Sequence, residues 1–393
     1  MKNFIKIFQI AAVFIGTIVG AGLASGKEIT TFFTKYGYIS FLGILLTGIF
    51  YIFICTIISK ISIEHKLSSY SEAINLVSPN ILGKITGITT TFYLISSASI
   101  ILAGSGALLH QFFGIPKIVG SIIMAIIASF ALLRETNGLV EINSVIVPSL
   151  VTVITLIMIL YLLFCRQDLT ISNILSIEPV KNSGWLTSTI LYAGYNTLCC
   201  CGVIVPLSYE TSDRKSMIKG IALGALVLSI ICIFINAMLM VNQPYIYKYD
   251  IPLLYITDRF GKPIQILLLA IILAEMFSTE VSDVYSISKT LNKSFKIKYK
   301  KSIFLVLLIA LPISLIGFSN LISTLYPIFG ILSLIFIAQC CYFYFFKMKK
   351  LISLLVLFLL CGCFPQSYQN IENKFKQDQC FKYHYQLLDK KQK

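Results

Sequence analysis

Apolar runs of about 20 residues recur along the whole of this chain, each long enough to cross a hydrocarbon core of about 30 Å. Backbone groups in lipid must satisfy one another, so a spanning chain folds as helices or as a closed barrel. The alternation of barrel strands is absent, and the runs are continuous. The fold class is therefore an all-α polytopic membrane protein. The residue balance agrees: 57% of the 393 residues are hydrophobic and 12% charged, with mean hydropathy +0.85. A soluble domain could not cover its surface with so little polar material.

The formal net charge of +15 does not point to nucleic acid. The basic residues sit in short loops beside apolar segments, where they set topology. Candidate spans cover about 4–36, 38–59, 85–113, 118–133, 145–165, 185–208, 217–241, 264–289, 303–318 and 321–346. These make a ten-helix domain over residues 1–348. If the end carrying Lys2 and Lys6 is cytoplasmic, that side holds more than twice the Lys and Arg of the other, the run from Lys289 to Lys301 included. The expected setting is the lipid bilayer of the cell (plasma) membrane, crossed many times, with the N-terminus cytoplasmic. The segment 60–84 reads either as a short amphipathic surface helix or as a polar loop.

The first span carries Gly16, Gly20, Gly22 and Gly26, with Lys27 and Glu28 directly after. Each glycine inside a helix costs roughly 0.5–1 kcal/mol relative to alanine. The span is also too long for one straight crossing, so a break inside it is expected. Ten spans divide into two sets of five, and an odd number per half turns the second half upside down. The sixth span then corresponds to the first, and it too looks interrupted: Gly194, Tyr195, Asn196, Gly202 and Pro206 fall in its middle. Paired interruptions in inverted halves point to a transporter binding site. The competing explanation is close packing through small residues, as in GxxxG contacts. Lys27 and Glu28 either pair, with each other or with another helix, or line an outer vestibule.

The eighth span holds Glu275, Ser278, Thr279, Glu280, Ser282, Asp283 and Ser286. At 100° per residue, Glu275, Ser282 and Ser286 lie within about 20° of one line, and Glu280 about 140° away. Acids inside a bilayer usually face an interior cavity, so Glu275 or Glu280 would be protonated or would neutralise a cation. Glu280 and Asp283 have a second reading, as residues near the cytoplasmic end that reach water. The hydroxyls at 278, 279 and 282 are hard oxygen ligands suited to an alkali ion. In the third span, Ser96, Ser99, Ala103 and Gly106 share a face that serves packing or lines a cavity, with Ser97 and Gly104 close by.

Most of the cysteines, Cys199-Cys200-Cys201 among them, lie in apolar runs and read as small hydrophobes. The triplet has the wrong spacing for a metal site. No nucleophile–base pair, phosphate loop, dinucleotide fingerprint or haem motif appears. The chain is expected to be neither an enzyme nor an ATP-driven pump and to hold no resident cofactor.

The stretch Gly16-Thr-Ile-Val-Gly-Ala-Gly-Leu-Ala-Ser-Gly-Lys-Glu28 resembles the opening helix of YkvI-type bacterial membrane proteins. More distantly, Gly20-Ala21-Gly22 is similar to the broken first helix of amino acid–polyamine–organocation transporters. That resemblance implies a LeuT-like 5+5 inverted repeat with broken first and sixth helices. It implies substrate contacts at Gly20, Ala21, Gly22, Tyr195, Asn196 and Gly202. It also implies an ion site from carbonyls near Ile18 and Val19, with Ser278, Thr279 or Ser282. The expected function is secondary transport of a small organic solute, an amino acid or amine, coupled to Na⁺ or H⁺. The alternative is a ligand sensor that keeps the transporter fold, as spore germinant receptor membrane subunits are thought to do. A channel is a third reading.

Residues 349–393 depart from the pattern. Met348-Lys349-Lys350, a short apolar run and Cys361-Gly362-Cys363 read like a lipoprotein signal. An eleventh short helix, a lipid-anchor-like appendage and a read-through fusion remain open.

Overall fold

The computed structural model describes residues 2–78, 81–133 and 139–348. The structure departs from a straight helix first where glycines crowd the first span. Helix α1 (Lys2–Ile18) stops, α2 (Ala21–Ala24) makes one turn, and α3 (Lys27–Phe32) resumes. Gly20 is extended, at φ −98° and ψ −173°. Gly26 is left-handed at φ +79°, a conformation that L side chains avoid, and a methyl there would meet Leu253 Cγ at 3.0 Å. The first span is thus broken twice.

The remaining helices follow in order: α4 (Ile39–His65), α5 (Tyr70–Val77), α6 (Ile81–Phe113), α7 (Lys117–Leu133), α8 (Leu139–Phe164), α9 (Ile171–Ser176), α10 (Trp185–Thr211), α11 (Arg214–Met240), α12 (Pro252–Thr257), α13 (Lys262–Phe295), α14 (Tyr299–Ser314) and α15 (Phe318–Tyr342). Among the described residues, six helices are long and apolar enough to cross a membrane by length and composition, and three shorter apolar helices accompany them. The segment 60–84 contains a helix, α5, capped by the Ser69 hydroxyl and burying Ala73, Ile74 and Val77.

Two groups of helices stand out. In one, α1 packs along α11, and α4 packs along both α10 and α11. In the other, α6, α7, α13 and α14 pack on one another, with α8 against α13. The pattern respects an inverted repeat. The first helix of each half lies on the second helix of the other (α1 on α11, α10 on α4), and α6–α7 has its counterpart in α13–α14. Small residues permit the approaches, since apolar area drives little association in lipid. Gly220 and Gly224 of α11 sit on Ile10, Ala11 and Phe14 of α1, and Gly106 of α6 abuts Gly120 and Ser121 of α7.

The expected break in the sixth span does not occur. α10 is one continuous helix with Pro206 inside it. Its glycine serves contact instead: a methyl on Gly194 would meet Ser333 Oγ at 2.7 Å and the Gly330 carbonyl at 3.1 Å on α15.

This compact unit ends at Cys340. In the second unit, Phe343–Met348 form a π-helical turn, with Tyr342 stacked on Phe346 at 4.8 Å. The readings offered for 349–393 lie outside the described residues.

Candidate functional site

Glu28 is the centre of the arrangement. The turn at Ser25 and Gly26 directs its side chain back over the short α2, so its carboxylate occupies the position a side chain on Gly22 would need. On an unbroken helix the two residues, six apart, would point about 120° away from each other; the double break brings them together. Glu28 is 3% exposed. It faces Tyr192 and Tyr195 of α10, and Tyr51, Cys232 and Tyr326 are also close to it. Its Oε2 and the Tyr51 hydroxyl are buried without a hydrogen-bond partner.

Aromatic rings enclose this carboxylate. Phe32 and Phe33 approach Tyr192 at 5.3 and 4.9 Å, Tyr192 meets Tyr195 at 5.6 Å, and Tyr195 stacks on Tyr326 at 4.4 Å between centroids. Beside them lies a cavity of about 10 Å³, lined by Thr47, Tyr51, Tyr192 and Cys232 among others. It has room for roughly one water.

A second acid cluster sits nearby on α13. Asp283 accepts from the Ser97 hydroxyl of α6 and adjoins Glu280. Tyr93, whose hydroxyl lies 3.2 Å from Cys199 Sγ, is also close to Asp283. Tyr326 lies near both Glu28 and Asp283. Glu280 is 0% and Asp283 9% exposed, so neither reaches water as a residue at a wet helix end would. Glu275 is buried with Oε2 unpartnered, as are both oxygens of Glu280 and Oδ2 of Asp283. Among the described residues, the ion pairs are Lys117–Asp250, Arg259–Asp168 and Lys262–Asp258; none involves these four acids.

The residues singled out from sequence fall as follows. Ile18 ends α1, and its carbonyl accepts the Gly20 N–H at 2.9 Å. Val19 is fully buried in the break. Ala21 and Gly22 are buried in α2, whereas Gly20 faces open space. Tyr195 and Asn196 are buried on α10; Asn196 Nδ2 donates to the Tyr192 carbonyl of its own helix at 3.1 Å. Gly202 is exposed, with nothing within 4 Å of the place a methyl would take, and does not join the Glu28 cluster. α13 packs directly against α2; on it Ser278 is buried, and Thr279 and Ser282 are half-buried. Gly106 packs on α7 and Gly104 against Phe318 and Met276, so that part of α6 is a packing surface.

The segment 242–260 closes over one side of the break. Leu253 N–H donates to the Ser25 carbonyl at 2.9 Å, and Lys27 Nζ donates to the Tyr249 carbonyl at 3.1 Å. The Gln111 amide spans both backbone groups of Ile251 at 2.9 and 3.0 Å. Asp250 accepts from Lys117 at 2.5 Å and from the Ser319 hydroxyl. Burial acts to raise the Asp250 pKa, but these two hydrogen bonds and the neighbouring lysine charges outweigh it and hold the carboxyl below its usual range.

The family model of a spore germination protein, Spore_permease, matches residues 4–323. The chain belongs to the Spore_permease family. It is 29% identical over 329 residues to the uncharacterized membrane protein YkvI of Bacillus subtilis (strain 168), covering 84% of this chain and 93% of that one. Among solved structures, MhsT in complex with L-phenylalanine superposes with TM-score 0.62 at 16% identity, covering 86% of this chain and 88% of MhsT. Mhp1, a nucleobase-cation-symport-1 family transporter with bromovinylhydantoin bound, superposes with TM-score 0.54 at 13% identity, covering 88% and 79%. The Spore_permease chain is therefore a YkvI-type multi-pass membrane protein with a LeuT-like fold.

Proposed function

We propose that this protein is a secondary transporter of a small organic solute bearing an amino group, an amino acid or amine, coupled to Na⁺ or H⁺ across the cell membrane. The observation that carries this reading is the doubly broken first span, buried against α10 and α13, with the Glu28 carboxylate and a ring of tyrosines at the break. Unwound backbone at such depth supplies free amides and carbonyls for a solute. A carboxylate without a basic partner supplies the counter-charge for an amine. Solutes would meet Gly20, Ala21, Gly22 and Tyr195; a coupling ion would meet carbonyls near Ile18 and Val19 and hydroxyls of α13. The topology adopted puts the N-terminus in the cytoplasm, following the bias in basic loops. That Mhp1 is a transporter of a cation-symport family supports the same reading.

A second reading follows from the family match itself: a germination-related protein that binds a ligand through this fold without moving it. Reconstituted vesicles separate the two. Carriage predicts that labelled amino acids or amines accumulate against their gradient when a Na⁺ or H⁺ gradient is imposed. Sensing predicts saturable binding, read as a ligand-dependent rise in melting temperature, with no accumulation.

A further inference from the structure

We propose that Glu28 is the group that takes up and returns the coupling proton; this rests on the carrier reading above. The geometry at Glu28 suits a proton better than a metal cation. The carboxylate is buried, and the side chains that face it are Tyr51 of α4, Tyr192, Tyr195 and Cys199 of α10, Cys232 of α11 and Tyr326 of α15. None is basic. The adjacent Lys27 turns away, its Nζ bonded to the Tyr249 carbonyl. An alkali ion would need several hard oxygens on all sides, and here aromatic rings enclose the carboxylate. A proton needs one oxygen and a neighbour able to serve both charge states. Tyrosine hydroxyls do so, donating to the ionised carboxylate and accepting from the protonated one. Tyr192 and Tyr195 hydrogen-bond to the carboxylate, and Tyr51 and Tyr192 line the one-water cavity.

Position distinguishes Glu28 from the other buried acids. Glu275, Glu280 and Asp283 lie within the continuous α13. Glu28 lies across Gly22 at a helix break, where gain or loss of charge acts on the joint between α2 and α3. The proton enters from bulk water on one side as the carboxylate forms its O–H bond, and it leaves to bulk water on the other when that bond breaks.

Infrared difference spectroscopy of the full-length protein in nanodiscs tests this without any solute. A pH jump in the wild type should produce a protonated-carboxyl band that is lost in Glu28→Gln and shifted in Glu28→Asp. It should persist in Glu275→Gln, Glu280→Gln and Asp283→Asn. A band unchanged in Glu28→Gln, or lost only in an α13 variant, overturns the assignment. Should Glu28→Gln fail to fold, the shift in Glu28→Asp decides. Vesicles holding a pH dye supply a second readout: the wild type acidifies them as solute enters, Glu28→Asp does so with a shifted pH dependence, and Glu28→Gln moves no protons. Solute uptake driven by Na⁺ with no proton movement would sink the proton assignment and leave the carrier reading intact. No solute movement at all would sink the carrier reading, with the infrared band still deciding whether Glu28 titrates.

Discussion

The carboxylate of Glu28 lies in the space that a side chain on Gly22 would fill. The two positions should therefore be energetically coupled. Gly22→Ala forces the Glu28 side chain off the break and should cost about 1–3 kcal/mol, the usual range for overpacking. Adding Glu28→Ala relieves the collision, so the double variant should be more stable than the sum of the single changes implies. Thermal unfolding of all three variants in one detergent measures this; strict additivity would contradict the packing described.

Gly26 makes a different demand. Its left-handed backbone penalises any side chain by roughly 1–2 kcal/mol, and Leu253 stands 3.0 Å from where the methyl would go. Gly26→Ala should lower the melting temperature more than a Gly→Ala change at the open Gly202. Equal effects at both sites would argue against the turn.

The unpartnered hydroxyl of Tyr51 should behave unlike an ordinary buried hydroxyl. Removing a buried group that makes no hydrogen bond relieves an unmet desolvation cost. Tyr51→Phe is expected to leave thermal stability unchanged or slightly raised while reducing solute-driven proton movement. A large loss of stability would show that this hydroxyl is bonded in the folded protein.

The Asp250 contacts predict a dependence on pH. Because the folded protein holds this carboxyl below the ordinary aspartate value of 3.8, its contribution is fully present above that value. It is lost as pH falls through the lowered native value. Protection from hydrogen exchange in residues 242–260, taken relative to the intrinsic rate at each pH, should be high near neutrality and fall in acid. Asp250→Asn should show the lower protection already at neutral pH, with the acid dependence reduced.

Much of this is readable from sequence for identifiable reasons. Span positions follow from apolar length alone, and the first break from glycines whose cost has no purpose in a plain lipid-facing helix. The sixth helix misleads because a glycine does not declare its use: Gly194 provides room for α15, and Pro206 is accommodated within the helix. Glu28 is visible in the sequence but cannot be placed from it, since its direction depends on the left-handed turn at Gly26. The clustering of Tyr51, Tyr192 and Tyr326 from three helices has no linear signature. Ser97 falls off the small-residue face of α6, so spacing passes over it, yet it is the residue that meets Asp283.

The continuity of α10 has a mechanical consequence. An unbroken helix of 27 residues is a rod about 40 Å long, and a tilt at one end appears at the other with opposite sense. The first span, jointed twice, bends locally and absorbs such a tilt. The two halves of this fold therefore pair a see-saw with a hinge, and displacement at one end of α10 reaches its other end.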